Sequence, residues 1–246
     1  MLAITKSMAL QGLDGFLVSI EVDISFGMPY FEIVGLPDTS VKESKERVKT
    51  AIRNSNIEFL SRRIVVNLAP ANTRKEGSNF DLPIAIGILI ASDNIVNSNL
   101  EEILKETIFI GELSLNGKIE KTDGILPICI EAKKLGIKRI ILSKENSEEA
   151  AVVQGIEILP ADNIKEVIEY LNGNLKIKKQ EYKNYNQEDK TKYKFDFEEV
   201  KGQEEVKRAL EIAAAGGHNC LLIGSPRFWK NDACKKTAKY IARNEF

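Results

Sequence analysis

The chain of 246 residues is long enough for one large domain or two small ones, and its hydrophobic fraction of 43% is typical of a globular protein. Its 35 Lys and Arg nearly cancel 36 Asp and Glu, which excludes a molecule-wide attraction to nucleic acid or membrane. No secretory signal or membrane-length apolar run is visible, and Cys129, Cys220 and Cys234 are spaced too widely for a disulfide framework or a zinc site. We therefore expect a cytoplasmic protein with no membrane partner.

The chain up to about residue 172 alternates short strands with helices. β-branched and aromatic residues predict strands at 3–8, 18–24, 31–34, 63–68, 107–113, 139–142 and 157–159. Helical spacing of apolar residues predicts a helix at 39–54, an apolar run at 82–92 is long enough for a buried helix, and further helices are predicted at 126–135 and 164–171. Thr39 or Ser40 can cap the first helix, and Gly136 closes the third. This order predicts an α+β domain with its own core over residues 1–174.

The next two regions differ in composition. Residues 175–194 are dense in Lys, Gln, Asn, Glu and Tyr without apolar periodicity, which we interpret as a charged linker; a charged surface helix is the alternative. From residue 195 to 246, a helix at 206–215 is stopped by Gly216 and Gly217, and a short strand at 219–223 leads into Gly224. A strand followed by a glycine loop is the order found in nucleotide-binding folds.

The loop after this strand resembles a phosphate-binding loop with two defects. The working form is G-x-x-x-x-G-K-[ST], whose glycines turn backbone N–H groups towards phosphates and whose hydroxyl residue holds magnesium. Here Gly224 and Lys230 are in register, but Trp229 replaces the second glycine and Asn231 replaces the hydroxyl residue. The bulky indole obstructs the backbone, and the amide is a poor magnesium ligand.

The flanking sequence resembles the opening of the motor in the YifB/ComM branch of magnesium-chelatase-like, ChlI-family AAA+ ATPases. The matching stretch runs from Asp196 through Val-Lys-Gly-Gln and an Ala-rich helix to Gly-Gly-His-Asn and Leu-Leu-Ile-Gly-Ser-Pro. The resemblance implies a vestigial nucleotide site made of Val200, Gly202, Gln203, Gly224, Ser225, Pro226 and Lys230, with the first three against the adenine. It implies ATP and Mg²⁺ as ligands of the intact family, although we expect this chain to bind neither tightly.

A one-base change of reading frame near Arg227 would explain the damaged loop. Codons that encode residues 227–236 can be chosen so that reading one base later gives Gly-Ser-Gly-Lys-Thr-Met-Leu-Ala-Lys, the loop of the family. Residues 227–246 are therefore expected to be out of frame, and the motor domain truncated.

The first region carries a second resemblance. Its segments Asn67-Leu-Ala-Pro through Asp81-Leu-Pro-Ile and Gly111-Glu-Leu-Ser-Leu-Asn-Gly117 look like the domain preceding the motor in the YifB/ComM family. They are similar in order to the peptidase domain of Lon, which implies a ribosomal-protein-S5-domain-2-like fold. The Lon serine nucleophile falls at Asn79 and the Lon lysine base at Leu126, so we expect no peptidase activity.

Other polar residues near this position leave alternatives open. Ser78 could replace the nucleophile if Lys75 or Lys121 served as its base, although a serine in a charged loop is more often solvated. Arg74 and Lys75, with Asn72, could contact a phosphate backbone or form a solvated turn. His218, the single histidine, has no partners for a metal site and is expected to pack or cap.

For the intact family the resemblance implies an ATP-driven, ring-forming motor that acts on DNA, with ComM relatives linked to branch migration during transformation. We expect this chain to be an ATPase-inactive part that keeps the accessory domain. The rival hypothesis is a stand-alone, non-catalytic Lon-like module that binds protein or DNA.

Overall fold

The computed structural model describes residues 2–12, 14–182, 202, 204–216 and 218–220, and the chain divides into two compact units, Met1–Tyr185 and Asn186–Phe246. The strands of the first unit are β1 (Leu2–Gln11), β2 (Asp14–Ser25), β3 (Tyr30–Val34), β4 (Arg63–Ala69), β5 (Thr107–Phe109), β6 (Glu112–Leu113), β7 (Ile119–Glu120), β8 (Arg139–Ser143) and β9 (Glu157–Ala161). Its helices are α1 (Thr39–Asn54), α2 (Asp81–Ala91), α3 (Leu100–Glu106), α4 (Ile125–Lys134), α5 (Ser147–Ala150) and α6 (Ile164–Leu171). The described helix of the second unit is α7 (Glu204–Ala215).

The first sheet has the strand order β1-β2-β4-β3. β1, β2 and β4 pair antiparallel, whereas β3 pairs parallel to β4 because α1 carries the chain across between them. Along β2 the buried residues alternate, with Val18, Ile20, Val22 and Ile24 at 5% exposure or less. This alternation fixes which face of the sheet receives the helices.

Helix α1 is capped by Asp38, not by Thr39 or Ser40 as predicted. The Asp38 carboxylate accepts a hydrogen bond from the Val41 amide at 2.7 Å. Asp38 is extended, which suits a residue just before the first turn, whereas Thr39 is already helical. The helix then buries Val48 and Ile52 against the sheet.

Helix α2 is buried along its whole length and packs on β1 and β2. Its backbone approaches the sheet closely at Gly87, where an added Cβ would lie 2.6 Å from Cγ2 of Val22. The buried Thr5 hydroxyl of β1 donates to the Pro83 carbonyl at 2.9 Å. A helix with no solvent face has no helical periodicity, so it is recognised by its length and apolarity.

A second sheet, β5-β8-β9, is parallel throughout, and β6 and β7 form a separate antiparallel pair. Helix α4 helps to form a second core, to which β1 contributes Met8 while Ala3 and Ala9 of the same strand belong to the first. Cys129 of α4 is buried there, and this burial, with the charge of Glu149, raises the pKa of its thiol to about 12.

Residues 175–182, the part of the predicted linker that the structure describes, lie against the second sheet. The Gln180 amide donates to the Ile158 carbonyl of β9 at 2.9 Å, and half-buried Ile177 packs on the first core. Residues 183–194 lie outside the described residues. The boundaries proposed from the sequence therefore stay predictions.

The α+β class predicted from the sequence is confirmed. The strand predicted at 107–113 is divided, because the Gly111 amide turns away to donate to the Asn79 carbonyl.

In the second unit, Asn219 and Cys220 are outside any strand, and 221–223 lie beyond the described residues. The His218 amide donates to the Ala213 carbonyl at 2.8 Å, which caps the end of α7. Among the described helices, none combines the length and apolarity needed to cross a membrane.

Candidate functional site

A buried lysine organises the loop that leads to α2. Lys75 has no exposed surface, and its ammonium donates to the Gly35 carbonyl at 3.0 Å and to the Pro70 carbonyl. The Lys75 backbone also pairs with the neighbouring loop, because its amide donates to Leu36 and its carbonyl accepts from Asp38. Burial lowers the pKa of Lys75 from its ordinary value. Gly35 is required here, since a Cβ would lie 2.2 Å from the Leu68 carbonyl oxygen.

The alternative in which Arg74 and Lys75 form a basic cluster on a phosphate backbone is therefore wrong. Lys75 points into the protein and can neither contact a phosphate backbone nor serve as a base for Ser78. Arg74 is exposed and pairs with Glu76 at 3.2 Å, and the exposed Asn72 accepts from the Thr73 hydroxyl. What remains of the cluster is one arginine that is already paired.

A buried ion pair fixes the start of α2. The Arg47 guanidinium of α1 makes two hydrogen bonds to the Asp81 carboxylate, at 2.6 and 3.0 Å. Asp81 is fully buried and also accepts from the Leu113 amide at 3.1 Å. Burial raises the pKa of Asp81, whereas the hydrogen bonds from Arg47 act to lower it. The hydrogen bonds to Asp81 in turn raise the pKa of Arg47. This pair joins α1, α2 and β6 close to the residues that precede α2.

Two residues just before α2 reach in different directions. Asn79 lies at the position matched to the Lon nucleophile. Its side-chain amide donates a hydrogen bond to the Met8 carbonyl of β1 at 2.9 Å. The Ser78 hydroxyl donates to the Glu112 carboxylate of β6. The sequence pointed to Ser78 and Asn79 but not to Glu112, since only the fold brings β6 to this loop.

These residues line a cleft of about 320 Å³. Its apolar wall is formed by Ala9, Leu10 and Ile128, and its polar wall by Glu76, Gly77, Ser78, Asn79, Glu112, Lys121, Thr122 and Asp123. Lys121 thus shares the cleft with Ser78, as one of the alternatives requires. Leu126, matched to the Lon base, is not among the lining residues and donates its amide to Glu149 at 3.0 Å.

The charges of the cleft oppose acyl transfer. Glu76, Glu112 and Asp123 face a single lysine, Lys121, so negative charge developing on an attacked carbonyl would be destabilised. The Ser78 hydroxyl is directed to a carboxylate, and no hydrogen bond joins it to Lys121 among the described residues. The arrangement can bind polar or cationic groups, but it does not assemble a Ser–Lys dyad.

The vestigial nucleotide site falls almost entirely outside the described residues. Gly202 is described and has a φ of 71°, a left-handed conformation that favours glycine. Val200, Gln203, Gly224, Ser225, Pro226 and Lys230 are not described, nor are Trp229 and Asn231. Their assignment to ATP stays a prediction.

Sequence comparison finds relatives that match nearly all of the chain. It is 41% identical over 231 residues to the competence protein ComM of Haemophilus influenzae, covering 92% of this chain and 44% of that protein. It is 39% identical over 225 residues to YifB of Escherichia coli, covering 92% of this chain and 43% of YifB. The chain thus spans less than half the length of these relatives. Lon protease 2 of Bacillus subtilis is 27% identical over 184 residues, covering 68% of this chain and 32% of the protease.

Two family models match separate parts of the chain. "Subunit ChlI of Mg-chelatase" matches residues 20–146, and "Magnesium chelatase, subunit ChlI" matches residues 196–242. The second match continues past Arg227, and the predicted change of reading frame there stays untested. The first match covers just over half of the chain and includes the cleft residues from Glu76 to Ile128, but not Ala9 and Leu10. The chain therefore belongs to the magnesium-chelatase ChlI family, as a protein of the YifB/ComM type.

Proposed function

We propose that the chain is the N-terminal part of an ATP-driven motor that moves branched DNA during transformation, as the ComM resemblance implies. The observation that carries this proposal is the 41% identity to a competence protein over 92% of the chain. In this proposal the first unit is S5-domain-2-like, and the second begins a P-loop AAA+ domain that binds ATP and Mg²⁺. The complete protein assembles as a ring on DNA in the cytoplasm.

A hybrid protein tests this function directly. Residues 1–223 of this chain would replace the matching part of ComM in a ComM-deficient Haemophilus influenzae strain, and transformation frequency would be measured. We expect the hybrid to restore transformation well above the empty-vector strain, because the two sequences are 41% identical over their matched 231 residues. A stably expressed hybrid that restores nothing would count against the proposed function.

The 246-residue polypeptide itself is proposed to be inactive as an ATPase. Trp229 occupies the place of a loop glycine and Asn231 that of the magnesium-binding hydroxyl, and phosphoryl transfer depends on such positioned groups. We expect phosphate release from Mg·ATP at the no-protein background. A variant carrying Gly-Ser-Gly-Lys-Thr from residue 227 onward is the control, and we expect it to regain binding of a fluorescent ATP analogue. Magnesium-dependent phosphate release by the unaltered chain would refute the proposal, and resequencing the gene across the Pro226 codon tests the frame change.

A non-catalytic binding module is the second candidate function. It is favoured by the cleft beside Ser78, which is polar, open to solvent and lined by three carboxylates and one lysine. Such a lining suits a cationic group of a partner better than a reacting carbonyl. The hybrid test separates the two candidates. Restored transformation favours the motor, because a free-standing binding module would not function as part of a motor protein.

A further inference from the structure

A groove lies where the first unit ends. It has a volume of about 690 Å³ and runs between β9, α6 and residues 175–181. Its charged lining residues are Lys144, Glu166, Lys176, Lys178, Lys179 and Glu181. Four ammonium groups therefore surround the groove, against two carboxylates.

The segment that carries Lys176, Lys178 and Lys179 is anchored to the fold by its neighbouring residues. Ile177 packs on the first core, while Lys176 and Lys178 on either side of it stay exposed. Two residues later the Gln180 amide bonds to the Ile158 carbonyl at the edge of the second sheet. An anchored segment loses less conformational entropy on binding than a free tail of the same sequence.

The lysines of this groove differ in whether they pair with a carboxylate. Lys144 pairs with Asp162 and lies 3.9 Å from Glu166. By contrast, Lys176, Lys178 and Lys179 make no ion pair with any other described residue. Three closely spaced ammonium groups without a carboxylate partner among the described residues favour an anionic polymer, because each phosphate that they neutralise releases a condensed counterion.

We propose that this groove, formed around Lys176, Lys178 and Lys179, binds the phosphate backbone of a nucleic-acid strand. The inference rests on the proposed function, which supplies DNA as the partner. Among the described residues that line the groove there is no aromatic side chain on which a base could stack. The contact is therefore to phosphates, independent of base sequence and strongly dependent on salt.

The test measures DNA binding by the 246-residue chain. Fluorescence anisotropy of a labelled 20-nucleotide single strand and of its duplex would be followed between about 50 and 200 mM salt. The variant K176Q/K178Q/K179Q removes three charges, and K42Q/K45Q/K49Q removes three exposed or half-exposed lysines from α1 as the matched control. We expect the groove variant to lose at least about tenfold in affinity at low salt, with a log–log salt slope smaller by about 2. The control variant should remain within about twofold of the unaltered chain.

Each other outcome overturns the proposal. If the groove variant and the α1 control bind DNA equally, the contact lies elsewhere on the chain. If the unaltered chain binds neither oligonucleotide, or binds phosphatidylserine vesicles instead through the same lysines, the groove has a different role. None of these results changes the hybrid transformation test, so the proposed function stands or falls separately. Unchanged circular dichroism and melting temperature would show that both variants fold.

Discussion

At the scale of single residues, Lys75 is the position that sequence reasoning placed wrongly. A Lys beside an Arg in a Gly- and Asn-containing loop is usually solvated, so both interpretations of the Arg74–Lys75 pair began from the surface. The structure buries Lys75 instead, because the carbonyl of Gly35, 40 residues away in sequence, joins the carbonyl of nearby Pro70 in accepting hydrogen bonds from its ammonium. Local sequence contains no signal for such a contact. The Arg47–Asp81 pair was missed for the same reason.

Replacing Lys75 by methionine should destabilise the chain. The substitution keeps most of the side-chain length but leaves the Gly35 and Pro70 carbonyls without this donor, for an expected loss of about 2 kcal/mol at neutral pH. Urea unfolding would measure the change. The exposed Lys42→Met is the control, with an expected change within about 0.5 kcal/mol.

The same comparison has a predictable pH dependence. Burial lowers the pKa of Lys75 below 10.5, so the unfolded chain holds this proton more tightly than the folded chain. The contribution of Lys75 to the free energy of unfolding therefore rises as pH climbs through its folded pKa towards 10.5. The gap between the unaltered chain and K75M should widen over that range. A gap that narrows with rising pH would contradict this assignment.

Breaking the Arg47–Asp81 pair should be more damaging than breaking a surface pair. Asp81→Asn leaves the Arg47 guanidinium four-fifths buried without its anion, at an expected loss of about 3 kcal/mol in the free energy of unfolding. Glu76→Gln breaks the exposed pair with Arg74 and should change it by less than about 1 kcal/mol. Equal midpoints of urea unfolding for the two variants would argue against a structural role for the buried pair.

At the scale of elements, most of the first unit follows from pattern. Helices at 39–54 and 164–171 have the predicted bounds, because their buried stripes alternate with charge. Helix α3 was not predicted, since it has no fully buried residue. The cleft was predictable only in part: Ser78 and Asn79 follow from the resemblance, whereas Glu112 reaches them through the pairing of Leu82 and Gly111 across the fold.

The packing of α2 on β2 can be tested at Gly87. Gly87→Ala favours the helix intrinsically by up to about 1 kcal/mol, but its new methyl group meets Val22 at 2.6 Å. We expect a net loss of about 1 to 3 kcal/mol in the free energy of unfolding. In a Val22→Ala background the obstacle is gone, and the same substitution should be neutral or stabilising. Equal effects of Gly87→Ala in both backgrounds would show that the contact with Val22 is unimportant.

At the scale of the whole molecule, the first unit should depend on the segment that follows residue 174. A polypeptide of residues 1–182 keeps half-buried Ile177 and the Gln180 hydrogen bond, which together contribute about 2 kcal/mol. Residues 1–174 alone should still fold, with a melting temperature lower by about 4 to 8 °C in calorimetry. Ile177→Ser in the longer polypeptide should reproduce most of the drop. Identical melting temperatures would mean that the segment adds no stability.

The sharing of β1 between the two cores has a consequence for how the first unit opens. Met8 belongs to the second core, while Ala3 and Ala9 belong to the first, so neither sheet can separate without disturbing that strand. Backbone amides in β8 and in β2 should therefore exchange with deuterated water through one common opening, with closely similar protection. Motion that exposed one sheet alone would have to begin with release of β1, so the β1 amides that pair with β2 should exchange only in the same common opening.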